Sequence, residues 1–359
     1  MTMIESPRPA VAFPPGEYLA DELAERGWTI AEFAAILGRP AQAVSEIING
    51  HKEITPATAV EIAAATGTAP ETWLRLQDTY RLWNLSQDPP SQSKSAEVTR
   101  RARLAALVPM PELRRRGVVP DGDVDAQEQA ICRLLDIASI ENPPRFALAA
   151  RRSSQAALLT PPQLAWIGCA RLAASNASVG RFDVQSLGRL GENLTRKVSS
   201  PSDLTDLPAR FAGVGVRLVH VAKFKNSKID GAAYRDNRGP VIAVSGRISR
   251  FDSVLFTLLH EIAHVVREHV ADGYTIDEDL QHPGTSTRER EADGLASRWA
   301  IPGDLVINAP ISKVKVLACA EHLGVHPALV VGRLQHEGRL PWSHLNGVVP
   351  SARSYLALW

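Results

Sequence analysis

The apolar positions of the first 85 residues recur with the spacing of α-helices. Four such segments, each closed by a glycine, occupy residues 15–27, 29–38, 40–50 and 55–67. A fifth segment begins at Pro70 and extends to about Leu85. Thr29 and Thr55 stand where N-cap residues are expected. A short helix, a tight glycine turn and a second short helix over residues 29–49 predict a helix-turn-helix.

The pattern changes at residue 213 to an alternation of apolar and polar positions. Residues 215–224, 228–236 and 239–247 predict three strands rich in β-branched residues. The polar turn "RDNRG" joins the last two as a hairpin, so we expect a small antiparallel sheet. Helical spacing resumes directly afterwards in "FTLLHEIAHVVREH", residues 256–269.

Breaks in these patterns predict the domain organisation. The polar, proline-containing stretch "DPPSQSKS" at residues 88–95 is typical of an exposed linker. We therefore expect a helical head, a linker with a helical connector, an α+β domain and a helical tail, over residues 1–85, 86–150, 151–305 and 306–359 respectively. The fold class is multidomain and mainly α.

Composition narrows the functional class. The chain has 359 residues, a formal net charge of +1 and 45% hydrophobic residues, which argues against a protein that coats nucleic acid along its whole length. The cysteines are Cys132, Cys169 and Cys319, far apart in sequence, which favours a reducing cytoplasm. Neither a signal peptide nor a membrane-spanning stretch is evident, so we expect a cytoplasmic protein.

His260, Glu261 and His264 form the motif H-E-x-x-H. On a helix, residues four apart share one face, so both imidazoles can bind the same Zn²⁺ ion. Glu261 is then close enough to act as general base for the attacking water. The alternative is a pair of core histidines with an incidental glutamate between them.

A catalytic zinc site needs a third protein ligand. The stretch "STREREADGLASRWAIP" offers Glu289, which can complete a His₂Glu site, and Asp293, which can accept a hydrogen bond from a ligand histidine. Two alternatives stay open. Ser286 and Glu289 also form a capping box, and Glu291 is a competing carboxylate ligand.

The head is acidic, which bears on DNA binding. Residues 1–80 contain eleven acidic and five basic residues, for a net charge near −6. Phosphate neutralisation drives most DNA affinity, so binding would be weak unless the head dimerises or the arginines at 100–116 contribute. Those arginines also fit a solvated helix face. The candidate DNA contacts are Arg39, Gln42, Ser45, Asn49 and Lys52. The alternative is a protein-docking bundle.

Two family resemblances cover most of the chain. Residues 15–77, "PGEYLADELAERGWTIAEFAAILGRPAQAVSEIINGHKEITPATAVEIAAATGTAPETWLRLQ", resemble the HigA-like antitoxins of the XRE-type helix-turn-helix family. "GAAYRDNRGPVIAVSGR", "FTLLHEIAHVVREH" and "EREADGLASRWAIP" resemble the ImmA/IrrE family of zinc metallopeptidases. This resemblance implies that His260, His264 and Glu289 bind zinc and that Glu261 is the general base. Asp293 stands where the family often has asparagine.

We therefore expect an all-α helix-turn-helix head followed by a gluzincin-like zinc endopeptidase. Its substrate would be a regulator, such as a helix-turn-helix repressor or antitoxin, held as an added strand beside "GPVIAVSGR". Self-cleavage near the linker is a variant of this hypothesis. The alternative is a DNA-binding regulator or antitoxin whose peptidase-like domain only senses. Tyr234, Tyr274 and His282 are candidates for stabilising the oxyanion.

Overall fold

The computed structural model describes residues 11–142, 144, 159–270, 274–278 and 287–359, and of residues 274–278 it describes only the backbone. The chain divides into two compact units, Met1–Arg100 and Arg101–Trp359, called here the N-terminal and C-terminal units. The predicted boundaries at residues 85, 150 and 305 remain predictions.

The N-terminal unit is helical, as its periodicity predicts. Its helices are α1 (Pro15–Arg26), α2 (Ile30–Leu37), α3 (Ala41–Ile48), α4 (Pro56–Thr66) and α5 (Pro70–Gln87). Thr29 and Glu32 form a full capping box at the start of α2, and Gly38 ends that helix in the left-handed conformation with φ 63°. Phe33, Val44 and Trp73 are buried in one core, which fixes the turn between α2 and α3.

Residues 89–95 are helical, so the extended conformation expected for this stretch is wrong, whereas its role as a linker stays a prediction. Helix α6 (Pro89–Leu107) runs through the whole stretch. The side chain of Asp88 accepts a hydrogen bond of 3.0 Å from the backbone N–H of Ser91. The two prolines lie in the first turn, where a missing N–H costs no hydrogen bond. An extended substrate segment therefore cannot form here unless this helix unfolds.

The C-terminal unit surrounds one small sheet with helices. Its helices after α6 are α7 (Met110–Arg115), α8 (Val124–Leu135), α9 (Pro161–Ser175), α10 (Val184–Lys197), α11 (Leu207–Gly213), α12 (Phe251–Val266), α13 (Thr287–Ala300), α14 (Lys313–Leu323), α15 (Pro327–His336) and α16 (Arg353–Leu356). Short 3₁₀ turns cover Pro201–Asp206 and Asn346–Val348. The strands are β1 (Arg217–His220), β2 (Ile229–Asp236), β3 (Gly239–Val244) and β4 (Tyr274–Glu278).

The sheet is mixed, which corrects the antiparallel expectation. The strand order is β1-β3-β2-β4, with β1 parallel to β3 and with β2 antiparallel to both β3 and β4. The predicted hairpin between β2 and β3 is confirmed. Because β2 lies on the far side of β3 from β1, strand β3 is hydrogen-bonded along both edges. A substrate therefore cannot add as a strand beside β3, and that part of the hypothesis is wrong.

The two faces of the sheet pack against different helices. Ala233 and Ile242 face the core that contains the apolar side of α12. Tyr234 and Val241 face the opposite core, where Trp166 of α9 donates a hydrogen bond of 2.8 Å to the carbonyl of Val221. The sheet thus forms a rigid support beneath the helix that carries H-E-x-x-H.

Two further sequence expectations concern cysteines and membranes. Cys132, Cys169 and Cys319 are all free thiols. In the part of the chain that the structure describes, no single helix is long and apolar enough to cross a membrane, although α14 and α15 pass that test as a pair bent by 112°.

Candidate metal centre

Helix α12 places the three residues of H-E-x-x-H in the interior of the C-terminal unit. Leu255, Leu258 and Ile262 anchor the helix in the core. His260, Glu261 and His264 are each 0% exposed to solvent, which is unusual for ionisable side chains. Burial of this kind requires polar partners, and neighbouring elements place such groups beside the two histidines.

The ligand-type atoms of three residues converge. The Nε2 atoms of His260 and His264 are 2.9 Å apart. The Oε2 atom of Glu289, from the first turn of α13, lies 3.3 Å from the first nitrogen and 3.6 Å from the second. A tetrahedral zinc ion with ligands at about 2.0–2.1 Å holds those atoms roughly 3.3 Å apart. The three residues therefore fit a zinc ion without rearrangement of the helices.

Asp293 contacts the outer nitrogen of His260. Its Oδ1 atom is 2.9 Å from His260 Nδ1, and Asp293 lies one helical turn beyond Glu289 on α13. A proton on Nδ1 that is donated to this carboxylate leaves the lone pair of Nε2 directed at the point where the ligand atoms converge. The contact brings Asp293 to the nitrogen that the predicted hydrogen bond would use, and its role stays a prediction.

His264 has a partner that the sequence analysis did not identify. Its Nδ1 atom is 3.0 Å from Nδ1 of His269, whose Nε2 is 3.1 Å from Oε2 of Glu291. Helix α12 ends just before this point, and Glu268 adopts a left-handed φ of 59°, which returns the chain beneath His264. Burial lowers the pKa of His269, while the hydrogen bond that its Nε2 donates to Glu291 acts to raise it.

These contacts relate the tautomers of His264 and His269 to each other. If Nε2 of His264 is a metal ligand, its proton resides on Nδ1 and is donated to Nδ1 of His269. The proton of His269 then resides on Nε2 and is donated to Glu291. Glu291 therefore lies behind the site as the last acceptor of this relay, whereas Glu289 lies inside it.

Glu261 is held against strand β2 at a glycine. A Cβ atom placed on Gly231 would lie 2.2 Å from Oε1 of Glu261 and 2.9 Å from Cγ2 of Thr257. Real contacts of this kind are never that short, so only glycine allows the carboxylate to lie here. A single glycine inside a strand indicates that another group packs closely against the backbone there, but the sequence does not identify that group as Glu261.

Several earlier candidates lie elsewhere. Tyr234 packs on the face of the sheet opposite to α12, so it cannot stabilise an oxyanion at this centre. His282 and the capping residue Ser286 lie outside the described residues, as does the side chain of Tyr274. The capping-box alternative for Glu289 therefore stays a prediction.

The candidate DNA contacts cluster at the turn and on α3, and most have local partners. Arg39 forms a 2.5 Å ion pair with Glu61 of α4. Gln42 donates a hydrogen bond of 3.1 Å to Glu46. Asn49 donates to the carbonyl and the hydroxyl of Ser45 at 2.8 and 3.1 Å. Lys52 is exposed just beyond α3.

The arginines that follow the head make local ion pairs within the C-terminal unit. Arg103 pairs with Glu141, and Arg115 pairs with Glu112. Arg116 donates hydrogen bonds of 2.8 Å to the carbonyls of Ala222 and Lys223 and lies over the ring of Phe224. Arg116 therefore holds α7 against the loop after β1.

Comparisons with known proteins agree with both halves of this description. A family model described as helix-turn-helix matches residues 19–74, and a peptidase family model described as IrrE N-terminal-like domain matches residues 215–335. An uncharacterised HTH-type transcriptional regulator of Haemophilus influenzae is 36% identical over 23% of this chain and 78% of its own length. The uncharacterised HTH-type transcriptional regulator YddM of Escherichia coli is 28% identical over 29% of this chain and 97% of its own length.

Among solved structures, an addiction module antidote protein of a HigA family from Coxiella burnetii is 37% identical. That match covers 23% of this chain and 91% of the other, with a TM-score of 0.22. The two family models and the curated relatives confirm the two resemblances expected from the sequence. Through its N-terminal segment, the chain belongs to the family of HTH-type transcriptional regulators, and an ImmA/IrrE-type peptidase-like domain follows that segment.

Proposed function

We propose that this protein is a zinc-dependent endopeptidase that a helix-turn-helix module directs to a regulatory protein substrate. One observation carries the proposal. His260, His264 and Glu289 present three ligand-type atoms within 4.8 Å of one another, and Glu261 lies on the same helix between the two histidines. This combination supplies a metal site and a general base together.

The side chains divide the chemistry among them. When bound, zinc would supply Lewis acidity that polarises the peptide carbonyl and makes a water more acidic. His260, His264 and Glu289 would hold the ion, and Asp293 and His269 would orient the two imidazoles. Glu261 would accept the proton of the attacking water on its carboxylate and deliver it to the leaving amine.

The head supplies the regulatory context. Helix-turn-helix modules place their second helix in the major groove of DNA, and here that helix is α3. The ion pair with Glu61 offsets the positive charge of Arg39, and Glu46 adds a negative charge beside Gln42 on this surface. We therefore expect weak DNA binding and a protein substrate, such as another helix-turn-helix regulator, that is recruited by the head.

A second candidate is a transcriptional regulator or antitoxin in which the peptidase-like domain binds metal as a sensor. It is favoured by the complete burial of His260, Glu261 and His264, because a turnover site must admit a peptide. The same burial suits a metal-dependent structural switch. The two candidates differ in whether Glu261 is needed for anything beyond folding.

The deciding experiment is a substrate trap. The zinc-loaded Glu261→Gln protein should capture a partner from an extract of the source cells, and the unaltered protein should cleave that partner after purification. The Glu261→Gln protein should leave it intact. Cleavage at equal rates by both proteins would remove the catalytic role, and capture without cleavage by the unaltered protein would favour the sensor.

A further inference from the structure

A pocket in the C-terminal unit continues the line of metal-centre residues along two helices. On α12, Thr257 lies one turn and Ser253 two turns before Glu261, and all three residues are on the same face of the helix. On α13, Ser297 follows Asp293 by one turn, again on the same face. The lining of the pocket therefore begins one helical turn from the metal-centre residues on both helices.

The walls of this pocket are mainly apolar. They are lined by Val254 and Phe256 from α12, Ala300 and Ile301 at the end of α13, Leu329 from α15, and Trp342. The ring of Phe256 is also 6.4 Å from the ring of His260, so one side chain borders both the pocket and the metal centre. Trp342 is 48% exposed and forms an aromatic rim at the mouth of the pocket.

The charged groups around the pocket pair with one another. Arg247 forms two hydrogen bonds of 2.7 Å with the carboxylate of Asp230. Asp252 accepts hydrogen bonds from Arg250 at 3.1 and 2.8 Å. Arg333 pairs with Glu337 at 2.6 Å. Since each of these charges has an opposite partner, the pocket offers no net charge to attract an ionic ligand.

We infer that this pocket binds one large apolar side chain, such as leucine, methionine or phenylalanine, of a peptide whose scissile bond lies at His260 and His264. The inference rests on the proposed peptidase function and adds its side-chain specificity. One helical turn rises about 5.4 Å, and consecutive residues of an extended peptide are about 3.3 Å apart. A side chain one or two residues from the scissile bond therefore reaches the pocket.

The test measures binding and does not depend on turnover. The full-length, zinc-loaded Glu261→Gln protein is applied to an unbiased peptide array, and the preference at each peptide position is recorded. Ser297→Phe places a ring in the pocket, and Ser297→Ala is the matched control that leaves the space open. We expect the array to show about a tenfold or greater preference for large apolar residues over glycine at one position. Ser297→Phe should abolish that preference, and Ser297→Ala should keep it.

Zinc content and thermal unfolding of each variant confirm that the metal centre is intact. Trp342→Ala is a second variant, further from the metal residues, and it should reduce the preference by removing the rim. An unchanged preference in both Ser297→Phe and Trp342→Ala overturns the inference, and so does an array without any apolar preference. If the preference is found but the unaltered protein cleaves none of the bound peptides, the pocket stands and the proposed catalytic function fails.

Discussion

His269 lies directly behind His264, with their Nδ1 atoms 3.0 Å apart. Because His269 in turn contacts Glu291 at 3.1 Å, His264, the proposed ligand, contacts a second histidine and reaches a carboxylate only through it. His260 has the simpler arrangement, a direct contact of 2.9 Å with Asp293. The imidazoles of His264 and His260 therefore have different neighbours, and substitution of each neighbour can be tested separately.

Removal of the group behind His264 should weaken metal binding without removing a ligand. We expect His269→Ala to lower zinc affinity by about 10- to 100-fold, because the tautomer and ring orientation of His264 are no longer enforced. Competition with a chromogenic chelator measures the affinity. His322→Ala, at an exposed position on α14, is the control and should leave it unchanged. Equal affinities for the two variants would contradict the relay.

The identity of the carboxylate ligand is tested by two substitutions on the same helix. Glu289→Ala should lose zinc as completely as His264→Ala does, because a site with two protein ligands holds the ion weakly. Glu291→Ala should retain about one zinc ion per chain, since Glu291 contacts His269 and not the convergence point. Elemental analysis of the purified proteins gives the stoichiometry. A reversed result for the two glutamates would move the ligand assignment to Glu291.

Glu261→Gln separates metal binding from proton transfer. Glutamine has nearly the same shape as glutamate, so the fold and the zinc content should be retained. Proteolysis should fall by about 10²- to 10⁴-fold, because the amide cannot accept a proton from water. The measurement is the cleavage rate of the trapped partner, with zinc analysed in the same samples. Cleavage at the unaltered rate would exclude Glu261 as the base.

Local signals predicted those parts of the fold that depend on neighbouring residues. The capping box of Thr29 and Glu32 and the hairpin between β2 and β3 are both encoded within a few positions. The parallel pairing of β1 with β3 depends instead on where a distant strand inserts, which periodicity does not contain. Residues 89–95 show a third case, a polar, proline-containing stretch that is helical and begins at a hydrogen bond between Asp88 and Ser91.

The candidate site divides in the same way. The spacing of H-E-x-x-H on one helix predicted that His260 and His264 face the same point, and their nitrogens meet there. His269 escaped prediction because its contact with His264 requires a left-handed residue at Glu268, where glycine or asparagine would have been the usual signal. The apolar pocket needed side chains from α12, α13 and α15, which only the tertiary structure brings together.

Gly231 should be sensitive to the smallest possible substitution. In Gly231→Ala the new methyl group would overlap the Glu261 carboxylate, one oxygen of which is 2.2 Å from the ideal Cβ position, and would crowd Thr257 at 2.9 Å. The buried carboxylate, the strand or helix α12 must therefore shift. We expect a loss of about 1–3 kcal/mol in the free energy of unfolding, measured by urea denaturation. Gly188→Ala on α10 meets nothing within 4 Å and should be neutral or stabilising. Equal stability of the two variants would show that the contact is easily relieved.

The DNA-binding surface of the head should be limited by its own acidic residues. Glu46 lies on α3 beside Gln42, and Glu61 holds Arg39 in an ion pair of 2.5 Å. Substitution of either glutamate by glutamine removes a negative charge from this surface, and Glu61→Gln also weakens the hold on Arg39. Each change should strengthen binding to duplex DNA by a few-fold at low salt and steepen the fall in affinity as salt rises, because more phosphate charge is then neutralised.

Gel-shift titrations of the full-length protein at several salt concentrations measure both quantities. Glu71→Gln, an equal change of charge in the first turn of α5, is the control and should have a smaller effect. If all three variants bind DNA equally, α3 is not the contact surface. If neither the unaltered protein nor any variant binds DNA at low salt, the head acts as a docking module for proteins.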